Sequence, residues 1–238
     1  MILPSANFQV DFVSKVQNWH GHFGFALDLV FQSKPNVLVE LGVHFGDSYF
    51  CFCQAVKELN LDCKCFGIDN WKGDEHSGFY NIEVYESVLS NNEQYSSFSK
   101  ILKKDFRHAL KSFEDSSIDL LHIDGCHTYE CISRDFMEWF PKVRENGYIL
   151  LHDTNIIREN FGVAKFWNQI ENNYPSYNFP HSCGLGIIQK ITNKNIDFFE
   201  GIFDNNTTYV NSYYQVVSEK ISLAYKLKKA LGYEFPNP

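Results

Sequence analysis

No stretch of this chain approaches the ~18 consecutive apolar residues of a membrane-crossing helix, so no span is expected. Its start, Met1-Ile2-Leu3-Pro4-Ser5-Ala6, has neither a cationic leader nor a secretory hydrophobic run, and a cytoplasmic protein is expected. Positive charge is scarce: 21 Lys and Arg stand against 29 Asp and Glu, a formal net charge of −8. Phosphate contact wants a basic surface, so this balance argues against a general nucleic-acid binder. Cys-x-x-Cys is missing as well. The seven cysteines, Cys51, Cys53, Cys63, Cys65, Cys126, Cys131 and Cys183, are odd in number and fall mainly in predicted strands and helices. That is the usage of reduced, cytosolic thiols. The two Cys-x-Cys pairs are wrongly spaced for a zinc knuckle and read as small buried hydrophobes. Internal repeats and low-complexity segments are also absent.

What is present is an ordinary globular composition. The 238 residues, 44% hydrophobic and 21% charged, suffice for one substantial domain with appendages. The chain is organised around Asn36-Val37-Leu38-Val39-Glu40-Leu41-Gly42-Val43-His44-Phe45-Gly46-Asp47-Ser48. Residues 37–41 read as a buried strand running into a glycine-bearing turn, and a helix then starts near Asp47 or Ser48, either of which can cap it. Gly42 and Gly46 carry no side chain, so a ligand can approach the backbone closely there. Twenty-nine residues after Glu40, a second apolar strand ends at Asp69. That spacing suits a carboxylate that accepts hydrogen bonds from the ribose hydroxyls of a nucleotide-like ligand.

Residues 8–33 read as helical, with Phe8, Phe12, Val16 and Trp19 at three-to-four spacing and a break at Ser33-Lys34-Pro35. Within them, Trp19-His20-Gly21-His22 is either a lid over the ligand or a helix junction with partly exposed histidines. Further helices are expected over 48–59, 81–89, 128–145 and 163–173, and strands over 63–68, 100–103, 117–124 and 147–151. The 128–145 helix places Ile132, Phe136, Trp139, Phe140 and Val143 on its inner face. Strands over 177–181 and 185–191 form an antiparallel pair, with Gly184-Leu185-Gly186 as the bend. A last helix over 207–231 carries a near-heptad stripe of Val210, Tyr213 or Tyr214, Val217, Ile221, Ala224 and Leu231. That stripe either folds back on its own domain or pairs with a second copy of the chain. The expected division is an N-terminal helical cap over 1–35, a ligand-binding domain over 36–192 and a C-terminal helical extension over 193–238.

This alternation predicts an α/β fold with a mostly parallel sheet and helices on both faces. Ligands in such sheets sit outside the carboxyl ends of the strands, where Gly42, Gly46, Asp69, Asp105, Asp124 and Asp153 all fall. In the loop after Asp69, the side chains Trp71, Lys72, Asp74, His76 and Tyr80 combine aromatic faces with hydrogen-bonding groups. The combination suits a sugar ring, apolar on its CH faces and polar round its rim. A solvated loop with one anchoring tryptophan fits the same residues.

Four segments together resemble a known group: Val-Glu-Leu-Gly-Val-His-Phe-Gly-Asp-Ser at 39–48, Gly-Ile-Asp-Asn-Trp-Lys-Gly-Asp at 67–74, His-Ile-Asp-Gly-Cys-His-Thr-Tyr-Glu at 122–130 and Leu-Leu-His-Asp-Thr at 150–154. They look like the class I S-adenosylmethionine-dependent methyltransferases, in the branch that includes sugar O-methyltransferases of natural products and surface polysaccharides. Asp-Gly-x-His-x-Tyr-Glu is the most specific part. Phe161-Gly162-Val163 leading to Phe166-Trp167, and residues 181–186, also look like the polysaccharide-associated members. The resemblance covers roughly residues 20–191. It implies a Rossmann-like seven-stranded sheet with the last strand antiparallel, and S-adenosyl-L-methionine as cofactor. Glu40, Gly42 and Gly46, with Asp47, Ser48 and Asp124 beside them, would frame its methionine and ribose portions. Asp69 would hold the ribose hydroxyls, and Asp105 would lie near the adenine. A sugar or glycan would be the acceptor, and His127 the general base.

Methyl transfer from a sulfonium to an alcohol is an in-line displacement in which positioning can contribute roughly 7–11 kcal/mol. A sugar hydroxyl resists ionisation and needs a base or a metal. Neutral imidazole, with an unperturbed pKa of about 6.5, supplies such a base at His127, although a histidine capping the helix at Thr128 is the simpler role. Asp124 and Asp153 can share a divalent cation, and oxygen ligands favour magnesium. Related metal-using enzymes carry an acid or an amide beside the position of Asp153. Here the neighbours are His152 and Thr154, so His152 joins the candidate ligands and a softer metal enters. A nicotinamide-dependent oxidoreductase is the rival enzyme, though Gly-x-Gly-x-x-Gly is absent. A non-catalytic glycan-binding domain on the same fold is the rival outside enzymology.

Overall fold

The computed structural model describes residues 4–74, 76, 78–191 and 207–232, and the side chains of Asp74, Thr207 and Thr208 lie outside that description. Its first strand, β1 (Val37–Leu41), lies between β2 (Lys64–Asp69) and β6 (Ile118–Ile123), parallel to both. A two-stranded hairpin, β3 (Gly73–Asp74) and β4 (Gly78–Phe79), stands apart from the main sheet. With β5 (Ser99–Lys103), β7 (Val143–His152), β8 (Ser176–Phe179) and β9 (Leu185–Gln189), the main sheet has seven strands in the order β5-β2-β1-β6-β7-β9-β8. Only β9 runs antiparallel to its neighbours. Gly186 falls inside this strand, against Trp167, so the bend lies before it rather than across Gly184-Leu185-Gly186.

Register carries the sheet toward function. Leu41 lies beside both Ile68 and Ile123, and Ile123 beside Leu151. The residues that follow these four, Gly42, Asp69, Asp124 and His152-Asp153, therefore emerge along one rim.

Alternation along each strand divides two cores. Leu38, Leu120 and Leu150 face a core shared with α1 (Phe23–Ser33), α2 (Asp47–Glu58), α3 (Ile82–Asn92) and α7 (Thr207–Ala230). Val39, Leu121, Ile149 and Leu151 face the other, against α5 (Tyr129–Trp139) and α6 (Val163–Ile170). A short helix, α4 (Phe106–Ala109), follows β5. The C-terminal stripe folds back: Val210, Tyr214, Val217 and Ile221 are buried, and the Gly24 N–H donates to Ser218 Oγ at 3.2 Å. Leu231 is exposed and takes no part. Among the described residues no helix is long and apolar enough to cross a membrane.

Several expectations are corrected. Residues 8–18 are not helical. Their backbone polar groups are taken by α2 side chains instead: Asp11 N–H donates to Gln54 Oε1 at 2.8 Å, Ser14 N–H to Asp47 Oδ1 at 2.8 Å, and Gln54 Nε2 to Gln9 O at 2.7 Å. Such tertiary partners satisfy the same amides a helix would have, so a three-to-four apolar spacing does not fix the local conformation. His20 and His22 are neither lid nor exposed junction. Both are buried, His20 donating to Asp47 Oδ1 at 3.0 Å and His22 to Ser182 O at 3.2 Å. The 128–145 helix ends at Trp139, because Pro141 supplies no N–H, and Val143 already pairs with Ile118 in the sheet. Finally, α2 is capped by Gly46 at φ +95° and not by Asp47 or Ser48.

Candidate active site

A cavity of about 1420 Å³ opens along this rim. Gly42 and Gly46 form its floor, and both have left-handed backbones, at φ +91° and +95°. A Cβ on Gly42 would run into the Asp124 carbonyl oxygen, so this turn requires glycine. Asp69 ties it down: its Oδ2 accepts from Val43 N–H and His44 N–H, each at 3.0 Å, and its Oδ1 from Trp71 N–H at 2.8 Å. Burial pushes this carboxyl above the usual range against those bonds. Asp105 lies half-exposed on the wall, where a bond from Asn70 Nδ2 at 2.9 Å holds it below the usual range. Asp47 and Ser48 also line the cavity, but Asp47 Oδ1 is already occupied by Ser14 and His20.

Three predicted contacts are not on the wall. Trp71 is buried with its indole N–H on His44 O at 3.0 Å, which makes it the anchor of the loop rather than a sugar platform. Lys72 is exposed away from the cavity. Glu40 is the third, at 0% exposure beneath the floor. Its Oε1 accepts from Ser48 Oγ at 2.7 Å and its Oε2 meets His122 Nδ1 at 3.0 Å. Trp19 Nε1, which can only donate, points at His122 Nε2 at 3.4 Å. That fixes the tautomer: Nε2 accepts, so Nδ1 carries the proton and donates to Glu40. His76 and Tyr80 do line the cavity, Tyr80 stacking on His44 at 4.8 Å.

At the far end, four predicted residues converge. His127 Nε2 lies 3.1 Å from Asp153 Oδ2 and 3.9 Å from Asp124 Oδ1. His152 Nδ1 lies 3.3 Å from Asp124 Oδ2 and 3.4 Å from Asp153 Oδ1. On its other side His152 Nε2–H donates to Ser182 O at 3.1 Å. With acceptors facing both nitrogens the ring is an imidazolium. Burial alone would lower it, but the Asp124 and Asp153 carboxylates bring it up to about 9. Burial would likewise raise Asp124, yet the His152 charge and the bonds from His127 and His152 hold it well below the usual range. Asp153 sits at φ +65°, kept there by its N–H on Gly184 O at 2.9 Å. His152, Asp124 and Asp153 offer ligand atoms within 4.8 Å of one another. One imidazole and two carboxylates fit a borderline divalent ion, whereas the expected magnesium prefers oxygen alone.

His127 does not cap α5. Thr128 does, its Oγ1 accepting from Cys131 N–H at 3.3 Å. Thr128→Ala is expected to cost about 0.5–2 kcal/mol, read from the urea midpoint. The His127 ring instead stacks on Phe161 at 4.9 Å and 15°, and Arg158 lies over the same phenyl ring at 4.8 Å. Sequence reasoning gave no role to His122 or Arg158, although His122 is a polar residue near the end of a mainly apolar strand, and it noted Trp19 and Phe161 without giving either its contact in the site.

Cys126 and Cys131 are joined by a disulfide, which corrects the reading of all seven cysteines as reduced; Cys51, Cys53, Cys63, Cys65 and Cys183 are free.

Residues 39–154 match the family model described as a methyltransferase domain. An uncharacterized protein of Sinorhizobium fredii, y4gI, is 46% identical over 170 residues, 71% of this chain. The match takes up 19% of that relative, so this chain spans about a fifth of its length. A Staphylococcus aureus structure described as a caffeoyl-CoA O-methyltransferase aligns at TM-score 0.56 and 14% identity, covering 75% of this chain and 85% of that one. The O-methyltransferase TomG of Streptomyces achromogenes, solved with S-adenosylmethionine, aligns at 0.53 and 13% identity, covering 76% and 82%. A Podospora anserina methyltransferase, PaMTH1, solved with S-adenosylhomocysteine, aligns at 0.53 and 12% identity, covering 76% and 80%. The rim described above thus lies in the stretch that matches a methyltransferase-domain model, on a Rossmann-like fold shared with solved O-methyltransferases.

Proposed function

We propose that this chain transfers the methyl group of S-adenosylmethionine to a hydroxyl of a sugar or glycan, in polysaccharide or glycoconjugate synthesis. One observation carries the reading: the glycine turn, Asp69 and the His127–Asp153 pair open on a single cavity. The donor's methionine and ribose portions would lie along Gly42, Gly46 and Ser48, with adenine toward Asp105. Asp69 has three backbone N–H groups on it and so shapes the turn, while the one lone-pair site left, on Oδ1, is what it offers to ribose.

His127 is the assigned base. With Nε2–H on Asp153, the neutral ring has Nδ1 as its basic nitrogen. Nδ1 is buried in this structure, so the acceptor must displace what covers it, and Asp153 would stabilise the imidazolium that forms as the hydroxyl loses its proton. The acceptor wall is revised to His76, Tyr80, Phe161 and Arg158, aromatic faces beside hydrogen-bonding groups. Asp124, His152 and Asp153 would hold a divalent ion once it displaces the proton on His152 Nδ1, and that ion would supply Lewis acidity toward the acceptor hydroxyl.

The test incubates purified protein with methyl-labelled S-adenosylmethionine and, separately, free sugars, nucleotide sugars, oligosaccharides and catechols. Label is expected in a sugar. Label in catechols alone would overturn the acceptor assignment. Calorimetry that finds no affinity for S-adenosylhomocysteine, or finds affinity for nicotinamide dinucleotide instead, would overturn the reaction. Asp69→Ala is expected to weaken S-adenosylhomocysteine binding about 10- to 100-fold, the loss of charge-assisted hydrogen bonds.

A further inference from the structure

We propose that Cys126 and Cys131 are a reversible thiol–disulfide pair that sets the position of His127. The consequence for turnover rests on the methyl-transfer reading, whereas the existence of the switch does not.

Cys126 lies on the cavity wall directly before His127, and Cys131 lies in the first turn of α5. Their Cα atoms are 5.6 Å apart, within the usual disulfide range, and the two sulfurs are bonded. Both residues are half-buried and hence open to a small thiol. The bond does not reflect general oxidation of the chain. Cys63 and Cys65 have their sulfurs 4.0 Å apart and remain thiols, deeply buried. As a global staple it is modest: with a separation of five residues it removes about 2 kcal/mol of entropy from the unfolded chain, less than half of what a hundred-residue loop would.

What it does hold is local. The enclosed turn contains His127, whose carbonyl accepts from Gly162 N–H at 2.7 Å and whose Nε2 lies on Asp153. Thr128 Oγ1 caps the Cys131 N–H from inside the same turn. Reduction removes the covalent tie across this turn and lets the 125–128 segment, with the His127 ring, leave its seat between Asp153 and Phe161.

The exchange balances with glutathione disulfide as oxidant. The Cys131 thiolate attacks one glutathione sulfur and releases a glutathione thiolate. Cys126 then attacks the Cys131 sulfur of the mixed disulfide, expels the second glutathione and completes the bond. Two thiols are oxidised, one disulfide is reduced, and the two protons the cysteines lose pass to the two glutathione thiolates.

The experiment equilibrates the full chain in buffers of varied glutathione-to-glutathione disulfide ratio, quenches in acid, denatures and alkylates. Intact mass and peptide mapping then count the free thiols. A step from five alkylated cysteines to seven is expected as the buffer becomes reducing, with Cys126 and Cys131 as the residues gained. Seven at every ratio would overturn the proposal, and so would five persisting in native protein under excess dithiothreitol. Across the step, the His127 imidazole proton resonance is expected to shift while S-adenosylhomocysteine affinity stays within twofold. kcat is expected to fall about 10- to 100-fold, with Cys131→Ser matching the reduced form. An unmoved His127 resonance overturns the positioning role. A thiol step and resonance shift without turnover of any acceptor would leave the switch standing and reject the methyl-transfer reading.

Discussion

Glu40→Ala is expected to lower the unfolding free energy by about 1–3 kcal/mol for each of the two buried donors it leaves without an acceptor. The loss comes from what remains. His122 would keep its Nδ1 proton, because Trp19 Nε1–H still needs Nε2 as acceptor, and that Nδ1–H would have no carboxylate. Ser48 Oγ would lose its acceptor at the start of α2. Urea unfolding with an unchanged m-value is the measurement. A sharper version uses Glu40→Gln. With its oxygen kept on the Ser48 hydroxyl, the amide Nε2 would then meet His122 Nδ1–H, donor against donor, unless His122 changes tautomer or the amide turns over and Ser48 Oγ accepts instead. Trp19→Phe removes the group that forbids the tautomer change. Glu40→Gln is therefore expected to cost less in the Trp19→Phe background than in wild type, a coupling of about 0.5–3 kcal/mol for groups in one network. Strict additivity would show that the indole does not fix the imidazole or that the amide turns over.

His127→Ala is expected to reduce kcat by about 10²- to 10⁴-fold, the range for a positioned general base. S-adenosylhomocysteine affinity should hardly change, because the donor-side turn at Gly42 to Gly46 is tied by Asp69 and not by His127. Asp153→Asn keeps an oxygen that can accept from His127 Nε2–H but removes the charge that stabilises imidazolium. Its loss of kcat should be smaller than that of the alanine variant. Full activity in His127→Ala, with sugar acceptors saturating, would move the base elsewhere, and the carboxylates at Asp124 and Asp153 would be the next candidates. Equal loss in kcat/KM and in S-adenosylhomocysteine binding would instead mark His127 as structural.

The rim was legible before any coordinates, for a simple reason. Period-two apolar strands ending in glycine or aspartate announce both the strand and the place where it stops, and parallel register then aligns those ends. The mistakes at Trp71, at residues 8–18 and at Glu40 share one origin. Trp71 has the residue type of a sugar platform, but its indole is consumed by His44 O. Residues 8–18 have helical spacing, but Gln54 and Asp47 take their amides. Glu40 has the position of a ligand contact, yet its oxygens are spent on Ser48 and His122. In each case a residue distant in sequence claims the group first.

Local order, then, was written in the chain: which segments are strands, where they end, and that Asp69, Asp124, His127 and Asp153 meet at one edge. Tertiary structure alone decided which of those polar atoms still face the cavity, that His152 stands as a cation between two carboxylates, and that α7 closes on α1. The division follows from range. Periodicity reports burial within a segment, while a hydrogen bond between residues such as Glu40 and His122, 82 positions apart, exists only once packing has brought them together.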